Sequence, residues 1–175
     1  QSFGNLVINE GDEIVLSIME HHSNIVPWHF HRERRGAVIK WAPIDDDGNF
    51  LIDEFEKLLG PRTKMVAITH MSNALGTIVP VKEVIRLAHA RGIPVLVDGS
   101  QAAVHMAVDV QALDADFYVF TGHKTYGPTG IGILYGKAEH LNRMPPYQGG
   151  GEMINEVTTE SITYNNPPHR FEAGT

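Results

Sequence analysis

At 175 residues, with 42% hydrophobic and 20% charged residues, the chain has the size and composition of one globular domain able to bury a substantial core. A formal net charge of −7 excludes the basic stripe that a nucleic-acid groove needs, and no apolar stretch reaches the roughly 18–20 residues of a membrane span. There is no cysteine, which excludes disulfides and thiolate metal sites and is compatible with a reducing, cytoplasmic compartment. The chain opens on Gln1 without a charged-then-apolar leader and closes at residues 170–175 without a polar tail, so it is expected to be a piece of a longer polypeptide.

The predicted elements alternate. Residues 13–17, a β-branched run introduced by Gly11-Asp12, predict a strand. Asn24 is expected to cap a helix running to about Arg35, with Pro27 in its first turn and Gly36 as its stop. Residues 37–41 read as the next strand, the acidic run 45–49 as a turn, and Asp53 as the cap of a short helix through Leu59. Residues 64–69 predict an apolar strand. Val81, Val84, Ile85, Leu87 and Ala88 then fall at helical spacing, and Gly92 ends that helix. Strands are expected at 93–97, 116–120 and 130–135, a helical turn at 110–113 and a short helix at 138–142. Beyond Pro145 the composition turns to Gly, Pro, Asn and Thr, so 145–175 reads as a loop-rich tail.

Strands alternating with helices imply βαβ units, hence an α/β fold with a mainly parallel sheet and helices on both faces. Ligands in such sheets bind at the carboxyl ends of the strands. The polar residues gather there: His21-His22, Asn73, Asp98 and Gln101, then Thr121, His123 and Lys124 each follow an apolar run.

Two of these residues suggest a chemistry. Lys124 follows the apolar run 116–120 through Thr121-Gly122-His123, and Asp98 closes the apolar run 93–97. An amine at one strand end and an acid at a neighbouring one form the pair that pyridoxal phosphate (PLP) requires. The amine binds the cofactor as a Schiff base, and the carboxylate keeps the ring nitrogen protonated. The bland alternatives are an exposed loop lysine and a helix-capping aspartate. His21, His22, His29 and His31 carry no His-Glu-x-x-His pattern or zinc spacing, so no metal is expected, and His22 at a strand–helix junction suits stacking on a flat ring. No phosphate-binding P-loop and no dinucleotide fingerprint is present.

Longer motifs carry a family resemblance. Glu20-His21-His22-Ser23-Asn24-Ile25-Val26-Pro27-Trp28, residues 69–77 (THMSNALGT), Val97-Asp98-Gly99-Ser100-Gln101, residues 121–136 (TGHKTYGPTGIGILYG) and the closing FEAGT resemble segments of class-V, fold-type-I PLP enzymes. Within that group they are similar to type II cysteine desulfurases of the SufS/CsdA kind, and the likeness covers essentially all 175 residues. The resemblance implies the large, aspartate-aminotransferase-like PLP-binding domain, truncated: a single central fragment over 1–175, without the parent's N-terminal segment and C-terminal domain. It implies that Lys124 holds the cofactor and moves the substrate's α-proton, with Asp98 on the ring nitrogen and Gln101 on the phenolic oxygen. His22 would stack on the ring, and Asn73 would lie near the phenolic oxygen and the substrate carboxylate. Thr121 and His123 would bind the phosphate, and Thr175 would reach the phosphate of the other subunit in a homodimer. The implied reaction turns L-cysteine into L-alanine and passes sulfur, as an enzyme persulfide, to an acceptor protein for iron–sulfur cluster assembly. No residue of this chain can be the persulfide-forming cysteine, so the fragment alone is expected to be inactive. Alternatives are a selenocysteine lyase or aminotransferase of the same superfamily, and a cofactor-free dimerisation or acceptor-docking module.

Overall fold

A computed structural model describes residues 1–174. The chain forms two compact units, one of residues Ile8–Gly136 and one of Gln1–Val7 with the segment from Lys137 onward.

The larger unit is built on a six-stranded sheet. Its strands are β1 (Glu13–Ser17), β2 (Val38–Ala42), β3 (Thr63–Thr69), β4 (Val95–Asp98), β5 (Phe117–Thr121) and β6 (Gly132–Gly136), in the spatial order β2-β1-β3-β4-β5-β6. Every neighbouring pair is parallel except β5 and β6, which run antiparallel through the loop that follows Lys124. β1 is buried along its whole length and β3 nearly so, because both sheet faces are covered. Strands covered on both faces read as continuous apolar runs rather than alternating ones.

The core packs Val15, Val66, Ile68, Val95, Val97 and Tyr118 from the strands against Phe55, Val84, Ile85 and Ala88 from the helices Ile52–Leu58 and Val81–His89. At the amino ends of β4 and β5, Asp116 accepts from the Val95 amide (2.8 Å) and pairs with His89 Nε2 (2.7 Å), which fixes the register of these two strands.

Helix ends follow the glycine signals and depart from the polar ones. Gly36 (φ 70°) stops the helix Val26–Arg35, and Gly92 (φ 69°) follows Val81–His89, both in the left-handed region that glycine enters without a steric penalty. Asn24, expected as an N-cap, ends a 3-10 turn (His22–Asn24) instead; its side chain bonds Glu20 and Trp28, and Ile25 occupies the cap position. Asp53 lies inside the first turn of Ile52–Leu58, with Leu51 as the N-cap. There its charge favours the helix through the dipole rather than through a capping bond. A four-residue helix, Ala102–His105, follows Gln101 where none was expected.

The smaller unit holds the helices Ser2–Val7 and Ala138–Arg143, and Phe3 meets His140 edge-on at 5.4 Å between ring centres. Within the tail expected to be loops, β7 (Ile154–Val157) and β8 (Ile162–Tyr164) pair as an antiparallel hairpin. Its turn is closed by Thr158, whose hydroxyl oxygen accepts from the amides of Glu160 (3.2 Å) and Ser161 (2.9 Å). That is a side-chain turn without the Asn-Gly signature by which hairpins are recognised. Among the described residues no helix is long and apolar enough to cross a membrane.

Candidate active site

Sheet register brings the first polar groups together. Thr69, the last residue of β3, pairs with Asp98, the last of β4, and Asp98 pairs with Val119 of β5, two residues before Thr121. Asp98 is buried, and its Oδ1 accepts from the Ser100 amide at 2.9 Å. Gly99, next along, donates its amide to the Val119 carbonyl (2.8 Å), and a Cβ here would overlap the Tyr118 ring. Only glycine lets the chain leave β4 at this height. The Tyr118 hydroxyl pairs with His70 Nδ1 (3.0 Å), while the His70 amide donates to the Asp98 carbonyl (2.9 Å). Burial, and secondarily the charge of Asp98, push the Tyr118 phenol above its ordinary range, and burial lowers His70. Both shifts keep the pair neutral, so Asp98 stands over an uncharged support.

The lysine arrives on a compact turn. β5 ends at Thr121 and passes straight into the 3-10 turn Gly122–Lys124. The Gly122 amide donates to the Ile131 carbonyl (3.0 Å), and the amides of Thr125 (2.9 Å) and Gly127 (2.8 Å) donate to the Gly122 carbonyl. A Cβ on Gly122 would sit 2.6 Å from Ile131 Cγ2 and 3.2 Å from the Pro128 carbonyl oxygen, so a side chain would force the turn away from its returning arm. Thr121 Oγ1 and His123 Nδ1 are 2.8 Å apart. Among the described residues Lys124 makes no hydrogen bond or ion pair, leaving its amine available.

One wall comes from the turn after β1. The Ser23 amide donates to His21 Nδ1 (3.2 Å), which leaves the proton of the neutral imidazole on Nε2. Beneath it lies Glu20, whose carboxylate accepts from Ser17 Oγ (2.6 Å), Asn24 Nδ2 (2.7 Å) and the Thr69 amide (2.9 Å). Those three donors favour the ionised form. Burial opposes it, aided by the nearby charge of Asp98, and prevails: Glu20 is raised to about 7. Its ordinary value is 4.5, so as pH rises from 4.5 toward 7 the unfolded chain gives up this proton before the folded one does. Glu20 therefore contributes stability that is complete below about pH 4.5 and lost by about pH 7, on the order of 2–4 kcal/mol. Unfolding of the protein and of E20Q by urea at pH 5 and pH 7.5 checks this. The wild type should lose more stability than the variant over that step, and parallel losses would refute it.

These elements enclose a cavity of about 290 Å³. Of the residues singled out from the sequence, Asn73, Asp98, Gln101, Thr121, His123 and Lys124 all line it. His22 does not appear on its wall, whereas its neighbour His21 does. The two rings are neighbours, with centres 5.6 Å apart and planes tilted by 42°. Thr175 lies outside the described residues. Ser23, Thr69, Met71 and Ser100 also contribute to the lining, and none of them carries a sequence signal of its own beyond standing next to the residues already named.

Comparison with known proteins gives this arrangement a family. Residues 1–175 match the description aminotransferase class-V throughout. The chain belongs to that family. This class-V chain is 56% identical over 174 residues to a cysteine desulfurase of Dickeya dadantii, covering 99% of the chain but 42% of that relative. Its fold superposes on the crystal structure of the Escherichia coli cysteine desulfurase CsdA with a TM-score of 0.97 and 43% identity, over 100% of the chain and 44% of that structure. A C-DES variant with glycine covalently linked to its PLP cofactor gives a TM-score of 0.83 at 28% identity, over 96% of the chain and 46% of that structure. The class-V chain thus spans less than half of each of these proteins.

Proposed function

We propose that this chain is the cofactor-binding part of a PLP-dependent cysteine desulfurase, which converts L-cysteine to L-alanine and hands the sulfur on as a persulfide. The observation that carries the reading is one pair: the buried Asp98 and the amine of Lys124, which has no partner among the described residues, line the same cavity from neighbouring strand ends. Relatives named as cysteine desulfurases support the substrate.

The donor set suits the cofactor. A flat pyridine carrying a phosphate needs a carboxylate for its ring nitrogen, an amine for its aldehyde and hydrogen-bond donors for its phosphate, and the cavity offers Asp98, Lys124 and the Thr121–His123 pair. When bound, PLP supplies an electron sink for the bonds around the substrate's α-carbon. Asp98 would pair with the ring nitrogen and hold its proton there, which deepens the sink. Lys124 Nζ would hold the cofactor covalently and, when free, would carry the α-proton. Thr121 Oγ1 and His123 take the phosphate. Gln101 and Asn73 orient the phenolic side and the substrate carboxylate. The stacking role expected of His22 passes to His21, whose side chain is the one on the wall. The 175 residues contain no cysteine, so the thiol that accepts sulfur is proposed to lie elsewhere in the protein. We propose that the enzyme works in the cytoplasm as a homodimer serving iron–sulfur cluster assembly through an acceptor protein.

The test is reduction of the PLP-loaded protein with borohydride, followed by peptide mass spectrometry. A single adduct on Lys124 is the expected result. Labelling scattered over surface lysines, or none, would overturn the reading.

A further inference from the structure

Glu20 has no part in the chemistry assigned to Lys124 and Asp98, yet it is only 7% exposed and joins three elements. Its Oε1 accepts from the Ser17 hydroxyl at the end of β1 and from the Thr69 amide at the end of β3. Its Oε2 accepts from Asn24 Nδ2, and Asn24 Oδ1 accepts in turn from Trp28 Nε1 (3.3 Å) in the helix Val26–Arg35. The short turn that carries His21 and Ser23 is thereby fastened to the strand ends through Glu20 and to the helix through Asn24. From this arrangement we infer that Glu20 is a positioning residue: by holding Asn24 with one oxygen while the other is anchored on β1 and β3, it fixes the wall that His21 and Ser23 present to the cofactor. The choice of cofactor rests on the PLP reading, whereas the tie itself rests on the chain's own hydrogen bonds.

The tie has a direction that can be reversed. Every partner of the Glu20 carboxylate is a donor, although the Ser17 hydroxyl can turn to accept when the carboxyl is protonated, so the link to Asn24 survives titration. In E20Q the new amide nitrogen faces the Asn24 amide nitrogen, donor against donor. Turning the Asn24 amide over repairs that contact and breaks the one to Trp28 Nε1, so one bond is lost either way. In E20Q/N24D the pair is exchanged: the introduced amide donates, one oxygen of the introduced carboxylate accepts, and the other still receives Trp28 Nε1. Wild type and the double variant each hold one carboxyl and one amide in this pair.

The experiment compares the intact protein, E20Q and E20Q/N24D by PLP titration and by the visible circular dichroism of the bound cofactor. E20Q is expected to bind PLP about tenfold more weakly with a diminished dichroic band, as loss of one buried hydrogen bond implies. E20Q/N24D should return to within about threefold of wild type. Amide hydrogen exchange at Asn24 and Ile25, whose amides donate to the His21 and His22 carbonyls, supplies a cofactor-free readout. It should be about tenfold faster in E20Q and restored in the double variant. Wild-type failure to bind PLP would count against the proposed function, and the exchange rates would still decide the tie. Unchanged exchange in E20Q, or a loss that E20Q/N24D does not reverse, overturns the inference.

Discussion

Under the proposed function, replacing Lys124 by alanine is expected to abolish covalent retention of PLP and to lower turnover of cysteine by the intact protein at least ~10³-fold, since there one residue would supply both the covalent anchor and the proton carrier. Lys124→Arg should not rescue it. A guanidinium stays protonated at any working pH and cannot act as a nucleophile. The fold should be indifferent to either change, because the Lys124 side chain makes no bond to any described residue. The unfolding free energy is expected to stay within about 0.5 kcal/mol of wild type. Borohydride trapping, steady-state rates and urea unfolding measured side by side test the claim. A variant lacking this lysine that still forms a single reducible adduct would end the assignment of Lys124.

Gly99→Ala should have the largest effect on the fold. The added Cβ would fall within the ring of Tyr118, and this ring has no easy escape. It is buried, and its hydroxyl is engaged with His70. Relief requires β4 and β5 to part, or the ring to swing away and break that bond. Overpacking of this kind costs at least ~3 kcal/mol, equivalent to a fall in Tm of roughly 6–12 °C for a chain of this length. Because Gly99 follows Asp98 directly, PLP affinity should fall with it. Combining the change with Tyr118→Leu, which shortens the obstructing side chain, should give a loss smaller than the sum of the two single losses. Simple additivity would show that the ring is not what confines residue 99.

The strands were legible because the sheet is covered on both faces. The core of the run 64–69 (Met65 to Ile68) and the run 93–97 are apolar without interruption, and the structure places β3 and β4 on these runs to within two residues. Glycine stops were legible too, since a left-handed φ leaves few other choices. Polar caps were not. Asn24 and Asp53 have the right chemistry for capping, but tertiary partners or a one-residue shift of the helix start took them elsewhere. The hairpin of β7 and β8 went unseen because its strands are short and largely exposed, with no apolar alternation strong enough to read. Asp98, Gln101 and Lys124 could be singled out in advance because each follows an apolar strand run, and the structure places all three on the cavity wall. The sequence offered no way to rank His21 against His22, because the two are chemically identical neighbours. Glu20 was silent for another reason. A glutamate is ordinarily a surface residue, and nothing local marks one that will be enclosed by three donors.

The row in which Thr69, Asp98 and Val119 stand side by side bears on how this domain tolerates insertions and deletions. Backbone pairing sets that row, not the segments that connect the strands. Extra residues between β3 and β4, or between β4 and β5, lengthen surface connections and leave Asp98 where it is. Removing one residue inside β4 is a different matter, because successive side chains point to opposite faces and a slip of one exchanges them all. Asp98 would then turn out of the cavity while the sheet kept its strands. Lineages of this fold are therefore free to drift in loop length, but the count of residues along β4 must hold.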